Sequence, residues 1–585
     1  MSEYLLMLIF LPLVFAVTIL FNSVRVRNIA TYLFVTFLVG ISLKLFFTSE
    51  IITLNFNHIV HTVFIGLDFI LLGYFLYQGF KYKDKLIGVF ALIQVVLFIV
   101  FLQFSPTILS TDIIVDKVSL VMLLVINIVG GVIILYSLKY IQSEEFKACK
   151  KNLFISILFF FIGVMNLIVT TNNIEMFFLA FEFTTLCSYI LIRFRNDELS
   201  IQNARKALWM NQIGGIAILL SLLSGIYYYD TIYFDTLIQN INGLFLLPIS
   251  LLVLAAFVKG ASIPFDKWLL GAMVAPTPVS AILHSATMVK IAPYLILKIA
   301  PAFSPTISLA VMIFGTFVFM TASLLALGKD FFKEILGLST IALLALMMSI
   351  AALGTPEAIN ICLTLIVFHA ISKALLFLQA GVLEKVYHLK YLQDIDYLVS
   401  RSKLIVFFIV IGFASLTLPP FGAFIGKFAS IELIASLINT NIFYILPLVF
   451  ILIGSVFLTL LYFKVLTKLI AQDNKVYEKI SIDLTYIVTS FILVGLLCFG
   501  IYVSYLYNFM THLEILLATV LILTTFVMLF FVNFKNIKKV SAYNCGEKDT
   551  IKLSAYYFEV SDKYKELIFY ISLFLIGLIV YMGMI

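Results

Sequence analysis

The chain has 585 residues, 63% of them hydrophobic and 12% charged, with a formal net charge of +7 and a mean hydropathy of +1.14. Soluble domains carry about 25% charged residues, and apolar runs near twenty residues recur along this chain, so a helical membrane protein is implied and a soluble fold is excluded. Barrel strands would give short alternating segments instead, and the positive charge reads as the bias of membrane loops, with no nucleic-acid partner needed.

The first span is expected to begin near residue 4. Met1-Ser2-Glu3 offers no basic n-region, and no small-residue cleavage site follows, so this stretch reads as a retained helix. About eighteen transmembrane helices are predicted, at roughly 4–21, 28–47, 58–80, 86–103, 116–138, 152–171, 174–192, 207–227, 244–264, 277–298, 308–328, 335–353, 357–383, 404–436, 442–463, 484–507, 513–534 and 566–584. Bases collect in alternate loops, among them Arg25 and Arg27, Lys81 to Lys85, Lys147 to Lys151, Arg193 to Lys206, Lys329 and Lys333, and Lys385 to Lys403. The loops between, such as 48–57, 104–115, 172–173, 228–243 and 354–356, hold almost none. That alternation supports the helix count and implies an inner (cytoplasmic) membrane with both termini on the outer side.

Two spans are interrupted. The ninth contains Lys259-Gly260-Ala261-Ser262-Ile263-Pro264, and the fourteenth contains Leu418-Pro419-Pro420-Phe421-Gly422 followed by Lys427. Proline removes a backbone donor and clashes with the preceding turn. Broken helices are tolerated inside a bilayer where protein or a wet cavity satisfies the freed groups, and matched breaks in two halves point to an ion path. Pro264, Pro419 and Pro420 are therefore expected to mark such breaks, although ordinary proline kinks would share the pattern.

Ionisable residues also lie inside apolar runs: Glu182, Lys259, His284, Lys290, His369, Lys373 and Lys427. A charge at a helix centre costs about 2.5–3.5 kcal/mol on insertion scales, so such residues face a protein or hydrated interior. Burial disfavours a charged amine and a nearby carboxylate opposes that effect, so a Glu–Lys contact that forms and breaks would act as a proton switch. His369 and Lys373 are four apart and share a helix face, and histidine suits proton relay. Lys298, near a helix end, fits snorkelling better, while Glu432 fits either a relay or a surface position. Static packing of charges remains the competing interpretation. The five cysteines include no C-x-x-C pair, and no phosphate loop, dinucleotide fingerprint or H-E-x-x-H occurs, so no metal or redox centre is expected on this chain.

Four stretches carry a family likeness. Glu182-Phe183-Thr184-Thr185-Leu186-Cys187-Ser188-Tyr189, the long run from Lys259 through Pro264, Trp268, Pro276-Thr277-Pro278 and His284 to Lys290, His369-Ala370-Ile371-Ser372-Lys373, and Pro419-Pro420-Phe421-Gly422 with Lys427 occur in order between about residues 110 and 470. This stretch resembles the antiporter-like proton-translocating subunits of respiratory complex I, Mrp cation/proton antiporters and energy-converting hydrogenases. The wording around Thr184 and Trp268 is most similar to the large membrane subunit of Ech-type hydrogenases. The resemblance implies an all-α polytopic fold with two inverted five-helix repeats, each containing a broken helix. Residues 1–110 would then hold extra N-terminal helices, 111–300 the first repeat with Glu182 and Lys259, and 301–470 the second repeat with Lys373 and Lys427. Residues 471–585 would add C-terminal helices and a polar cytoplasmic loop at about 535–565.

The resemblance also implies roles: Glu182 and Lys259 as the switch pair, Lys290 and His284 as lateral carriers, Lys373 with His369 as central relay, and Lys427 on the exit side. Gly214-Gly215 departs from the Gly-Asp common in complex I members. The implied function is translocation of protons or Na⁺ within a redox-driven pump, with an energy-converting nickel–iron hydrogenase as the first expectation. A complex I-type oxidoreductase or an Mrp-type antiporter is the alternative. Expected partners are other membrane and peripheral subunits, with iron–sulfur clusters and a nickel–iron site confined to them.

Overall fold

A computed structural model describes residues 1–48, 51–104, 108, 110–241, 245–395, 398–418, 421–470, 480–506, 516–517, 520, 523–525, 527–528 and 560–585. Its helices follow the hydropathy. They are α1 (Ser2–Ile19), α2 (Val24–Thr48), α3 (His58–Tyr82), α4 (Lys85–Phe101), α5 (Lys117–Gln142), α6 (Ala148–Ile168), α7 (Ile174–Arg195) and α8 (Glu198–Tyr229). Next come α9 (Leu247–Lys259), α10 (Thr277–Ala302), α11 (Pro305–Leu327), α12 (Phe332–Ala351) and α13 (Pro356–Val386). The fourteenth span, α14, is split into Lys403–Thr417 and Gly422–Leu437. It is followed by α15 (Ile442–Leu469), α16 (Leu484–Leu506) and α17 (Asp562–Met584). Each matches an expected span. The expected span 513–534 lies largely outside the described residues, as do residues 535–559 of the expected polar loop.

Side-chain caps explain where many helices start. Asn57, Asp84, Asp116, Asn173 and Asp197 each accept a hydrogen bond from the first turn of the helix that follows, satisfying backbone donors that have no intrahelical partner. One two-stranded antiparallel ribbon pairs β1 (Ile52–Leu54) with β2 (Ile113–Val115), with Thr53 opposite Ile114.

The core lies in the middle of the chain. The most apolar stretches of the spans from α5 to α14 are 67–100% buried, against 28–39% for α1–α3 and α15–α17. The peripheral helices expose large apolar side chains such as Phe47, Phe80, Leu92 and Phe574, as lipid-facing surfaces require. Polar ties hold the core. Asn127 on α5 and Asn166 on α6 exchange amide hydrogen bonds at 3.0 and 3.1 Å, and Asn166 also donates to Leu8 O on α1 at 2.8 Å.

Loop contacts separate the two ends of the bundle. The base-rich loops meet one another: Arg205 pairs with Asp84 at 2.6 Å, Arg195 reaches Glu144 and Glu384, and Lys385 pairs with Glu144 at 2.7 Å. The base-poor loops meet at the other end, where Asn172 donates to Asp235 at 2.7 Å and Asn173 donates to Asp112 at 3.3 Å. The segregation expected from charge alone is thus present in the contacts.

Candidate functional site

At the first interruption helix α9 stops at Lys259, Ala261 takes a left-handed conformation (φ 52°), and a short helix resumes at Asp266–Gly271. The carbonyl of Val258 accepts from Ala261 N at 3.1 Å and from the Trp268 indole at 2.9 Å, so Trp268 ties the resumed helix back to the end of α9. At the second interruption the chain leaves one helix at Thr417 and enters the next at Gly422; Pro419 and Pro420 lie outside the described residues.

The break sets Lys259 at a helix end, fully buried. Its ammonium group donates to Phe181 O at 3.1 Å, Thr185 Oγ1 at 3.0 Å and Asn211 Oδ1 at 3.3 Å, and lies 3.7 Å from the Phe181 ring centroid. Three acceptors and an aromatic face compensate part of its lost hydration. Glu182, one residue after Phe181 on α7, is also fully buried and within electrostatic range of Lys259. The two do not form a direct ion pair. Instead Gln94 on α4 donates to Glu182 Oε1 at 2.7 Å and to Gln212 O at 3.3 Å. Gly215 on α8 makes this possible, because a Cβ there would collide with the Glu182 carboxyl and the Gln94 amide.

Helix α10 is deformed where its ionisable residues sit. A π-helical turn spans Ile282–Ala286 around His284, Thr287 leaves helical geometry, and a tight 3₁₀ turn, Met288–Lys290, follows. Such bulges recur at functional sites. Across the interface with α13, Lys290 Nζ lies 2.5 Å from His369 Nδ1. Lys373, one turn further along α13, turns to α12, where it donates to Leu336 O at 3.0 Å and Ser339 Oγ at 2.5 Å. His284 packs its ring 4.8 Å from Phe377, and neither ring nitrogen has a hydrogen-bond partner among the described residues. His284, Lys290, His369 and Lys373 are in mutual electrostatic range.

Six of the seven ionisable residues singled out from sequence therefore form two groups, Glu182 with Lys259 and His284 with Lys290, His369 and Lys373. Lys427 is 4% exposed but stands apart; no hydrogen bond or ion pair ties it to the others among the described residues. Lys298 is part-exposed and donates to Thr171 O at 2.6 Å, beside the base-poor loop that follows α6. Glu432 is exposed. Sequence reasoning missed Gln94, Gln212 and Asn211, which are neutral and so escape a search for charges. It also missed the buried Lys333–Glu384 pair at the base-rich end.

A multi-span helical bundle with two interrupted helices and a withdrawn row of ionisable side chains defines a polytopic membrane protein with a polar interior. Residues 171–457 match the family described as NADH:quinone oxidoreductase/Mrp antiporter, transmembrane region, and residues 101–148 match the N-terminus of chain 5 of NADH-ubiquinone oxidoreductase (complex I). The chain thus carries the transmembrane domains that define this antiporter-like membrane subunit family.

Among curated relatives it is 32% identical over 425 residues to an Na(+)/H(+) antiporter subunit of Staphylococcus haemolyticus, covering 65% of this chain and 52% of that protein. It is 32% identical over 336 residues to an Na(+)/H(+) antiporter subunit of Alkalihalophilus pseudofirmus, covering 54% and 41%. The chain thus spans about half the length of the curated relatives it matches. A chain of the membrane-bound sulfane sulfur reductase, an archaeal respiratory membrane complex, shares the fold with a TM-score of 0.62 at 19% identity, covering 77% of this chain and 96% of that one. None of these relatives is a hydrogenase, so the first expectation from sequence gains no support from them.

Proposed function

We propose that the chain is a proton- or cation-translocating subunit of a multisubunit complex in the cytoplasmic membrane, of the Mrp antiporter and complex I type. The observation that carries this reading is burial. Glu182, Lys259, His284, Lys290, His369, Lys373 and Lys427 occupy five different spans, and none is more than 4% exposed. Seven ionisable groups at membrane depth are costly as mere packing. Their neighbours are carbonyls, hydroxyls and amides that can pass hydrogen bonds.

In this reading Glu182 and Lys259 load and release a proton. Lys259 is held by Thr185 and Asn211 while Glu182 is held by Gln94, so the direct contact is open, and closing it would draw the ammonium form toward the carboxylate. Lys290 and His369 share one proton across the α10–α13 interface, and Lys373 receives it one turn on. Lys427 serves the far side of the second break. The likeness to Na(+)/H(+) antiporter subunits favours an antiporter complex over a redox-driven one. Any iron–sulfur or nickel–iron centre would belong to partner subunits, and identifying the co-purifying chains separates the two kinds of complex.

The test is transport by assembled complexes carrying Lys259→Ala or Lys373→Ala. Each is expected to assemble at wild-type levels and to lose at least about a hundredfold in ion-coupled proton movement, the scale of a lost proton-transfer group. Full transport in both variants would overturn the proposal, and failed assembly in both would favour the packing role instead.

A further inference from the structure

Strands β1 and β2 pair as a ribbon, yet residues 55–112 between them include a membrane-length helix, α3, and a shorter apolar helix of 17 residues, α4. This pair precedes nearly all of the matched family regions, which begin at residue 101. It packs on α7 and α8, the helices that frame Glu182. The insertion brings polar groups with it. Gln94 holds Glu182, as described above. Asp68 on α3 is fully buried, within electrostatic range of Glu175 and Glu182, and neither of its carboxyl oxygens has a hydrogen-bond partner among the described residues.

The spacing is regular. His61 and Asp68 are seven apart on α3, and Glu175 and Glu182 are seven apart on α7, so each pair lies on one helix face. Both helices run from the base-poor end toward the base-rich end. At about 1.5 Å per residue, Asp68 lies roughly 15 Å and Glu182 roughly 12 Å from their helix starts, at similar depth. At the base-poor end, His61 is part-exposed and contacts Asp112 at 3.1 Å. Asp112 also accepts from Asn173, the cap of α7, and is in electrostatic range of Glu175. One oxygen of Glu175 and one of Glu182 likewise lack hydrogen-bond partners among the described residues.

We infer that the inserted pair α3–α4 opens a second route to Glu182, in which protons pass between the base-poor surface and the half-channel by way of His61, Asp112, Glu175 and Asp68. An ionised carboxylate without a donor is not tolerated in a dry interior. On this route Asp68 therefore holds a proton, which it can pass on and regain. The carboxyls are strung along two helices and, among the described residues, no three such groups converge as a metal site would require. That arrangement suits a proton passed from group to group better than a coordinated cation. No bond other than O–H or N–H is made or broken along the route.

This inference rests on the proposed translocation function, and the experiment separates the two. In the assembled complex, Asp68→Asn is expected to lower ion-coupled proton movement at least about tenfold, with Asp68→Glu restoring it. Thermal stability should hold or rise in Asp68→Asn, because an unpartnered buried acid is removed; a merely structural role predicts a fall. The infrared difference between wild type and Asp68→Asn should contain the C=O band of a protonated carboxyl that shifts in D₂O. Unaltered transport in Asp68→Asn, or a wild-type spectrum with no exchangeable carboxyl at this site, overturns the route. Lys259→Ala is the control: its loss of transport beside a fully active Asp68→Asn defeats the route alone, whereas full transport in both defeats the function beneath it.

Discussion

The two buried groups are built from opposite chemistries. Near Lys259 stand the Glu182 carboxyl and the Asn211 amide, with Gln94 bonded to Glu182, and the carboxyls of Glu175 and Asp68 lie beyond Glu182 on its own helix and on α3. Around Lys373 stand Lys290, His284 and His369, and among the described residues no carboxylate pairs with any of them. In the first group a charge finds a counter-charge or a dipole nearby. In the second, a proton placed on one base raises the energy of placing another on its neighbours, because the interaction between like charges grows as the local dielectric falls. The first group is suited to capture and the second to handing on, since repulsion drives each proton toward the next unoccupied base.

The sharpest way to break this contrast is to remove the one acid that faces the lysine. Glu182→Gln keeps the shape and a partner for Gln94 but abolishes the negative charge, and should reduce proton movement about a hundredfold or more; near-wild-type rates would show that capture does not depend on it. A gentler change tests the space instead of the charge. Gly215→Ala places a methyl where Glu182 and Gln94 meet, and overpacking of this kind costs about 1–3 kcal/mol. Reduced thermal stability with slowed transport is expected, and an unaffected protein would mean that the Glu182–Gln94 contact is loose. The smallest effect is expected at Lys427. Its ammonium has no hydrogen bond or ion pair to lose among the described residues, only the Phe424 ring 6.0 Å away, and glutamate keeps an ionisable group, so Lys427→Glu should transport within a few-fold of wild type. Loss on the scale of Lys373→Ala would show that the far side of the second break needs an amine and not merely an ionisable group.

The same contrast explains what the sequence disclosed and what it hid. Spans were legible because hydropathy and loop charge act over twenty residues and reinforce one another. The break at Lys259 was legible from Pro264, since proline cannot continue the backbone pattern. The π turn around His284 was not, because no proline or glycine marks it; it arises where α10 packs between α12 and α13. Basic and acidic residues in apolar runs stood out by their insertion cost, but Gln94 and Asn211 carry no charge and read as tolerated polar positions. Glu175 was not singled out, and an acid one residue into a helix is an ordinary feature of a helix start. Asp68 is the exception: it also lies in an apolar run but in a pair of helices that belong to no motif, and it was passed over until the packing of α3 against α7 gave it neighbours.

Water is the missing link between the two groups, and a high-resolution cryo-electron microscopy map of the intact complex in a lipid nanodisc would reveal it. Ordered waters within hydrogen-bonding distance of one another should run from Lys259 past Lys290 to Lys373. A dry gap of packed apolar side chains between Lys259 and Lys290, unbridged in every state of the complex, would show that the two groups do not exchange protons.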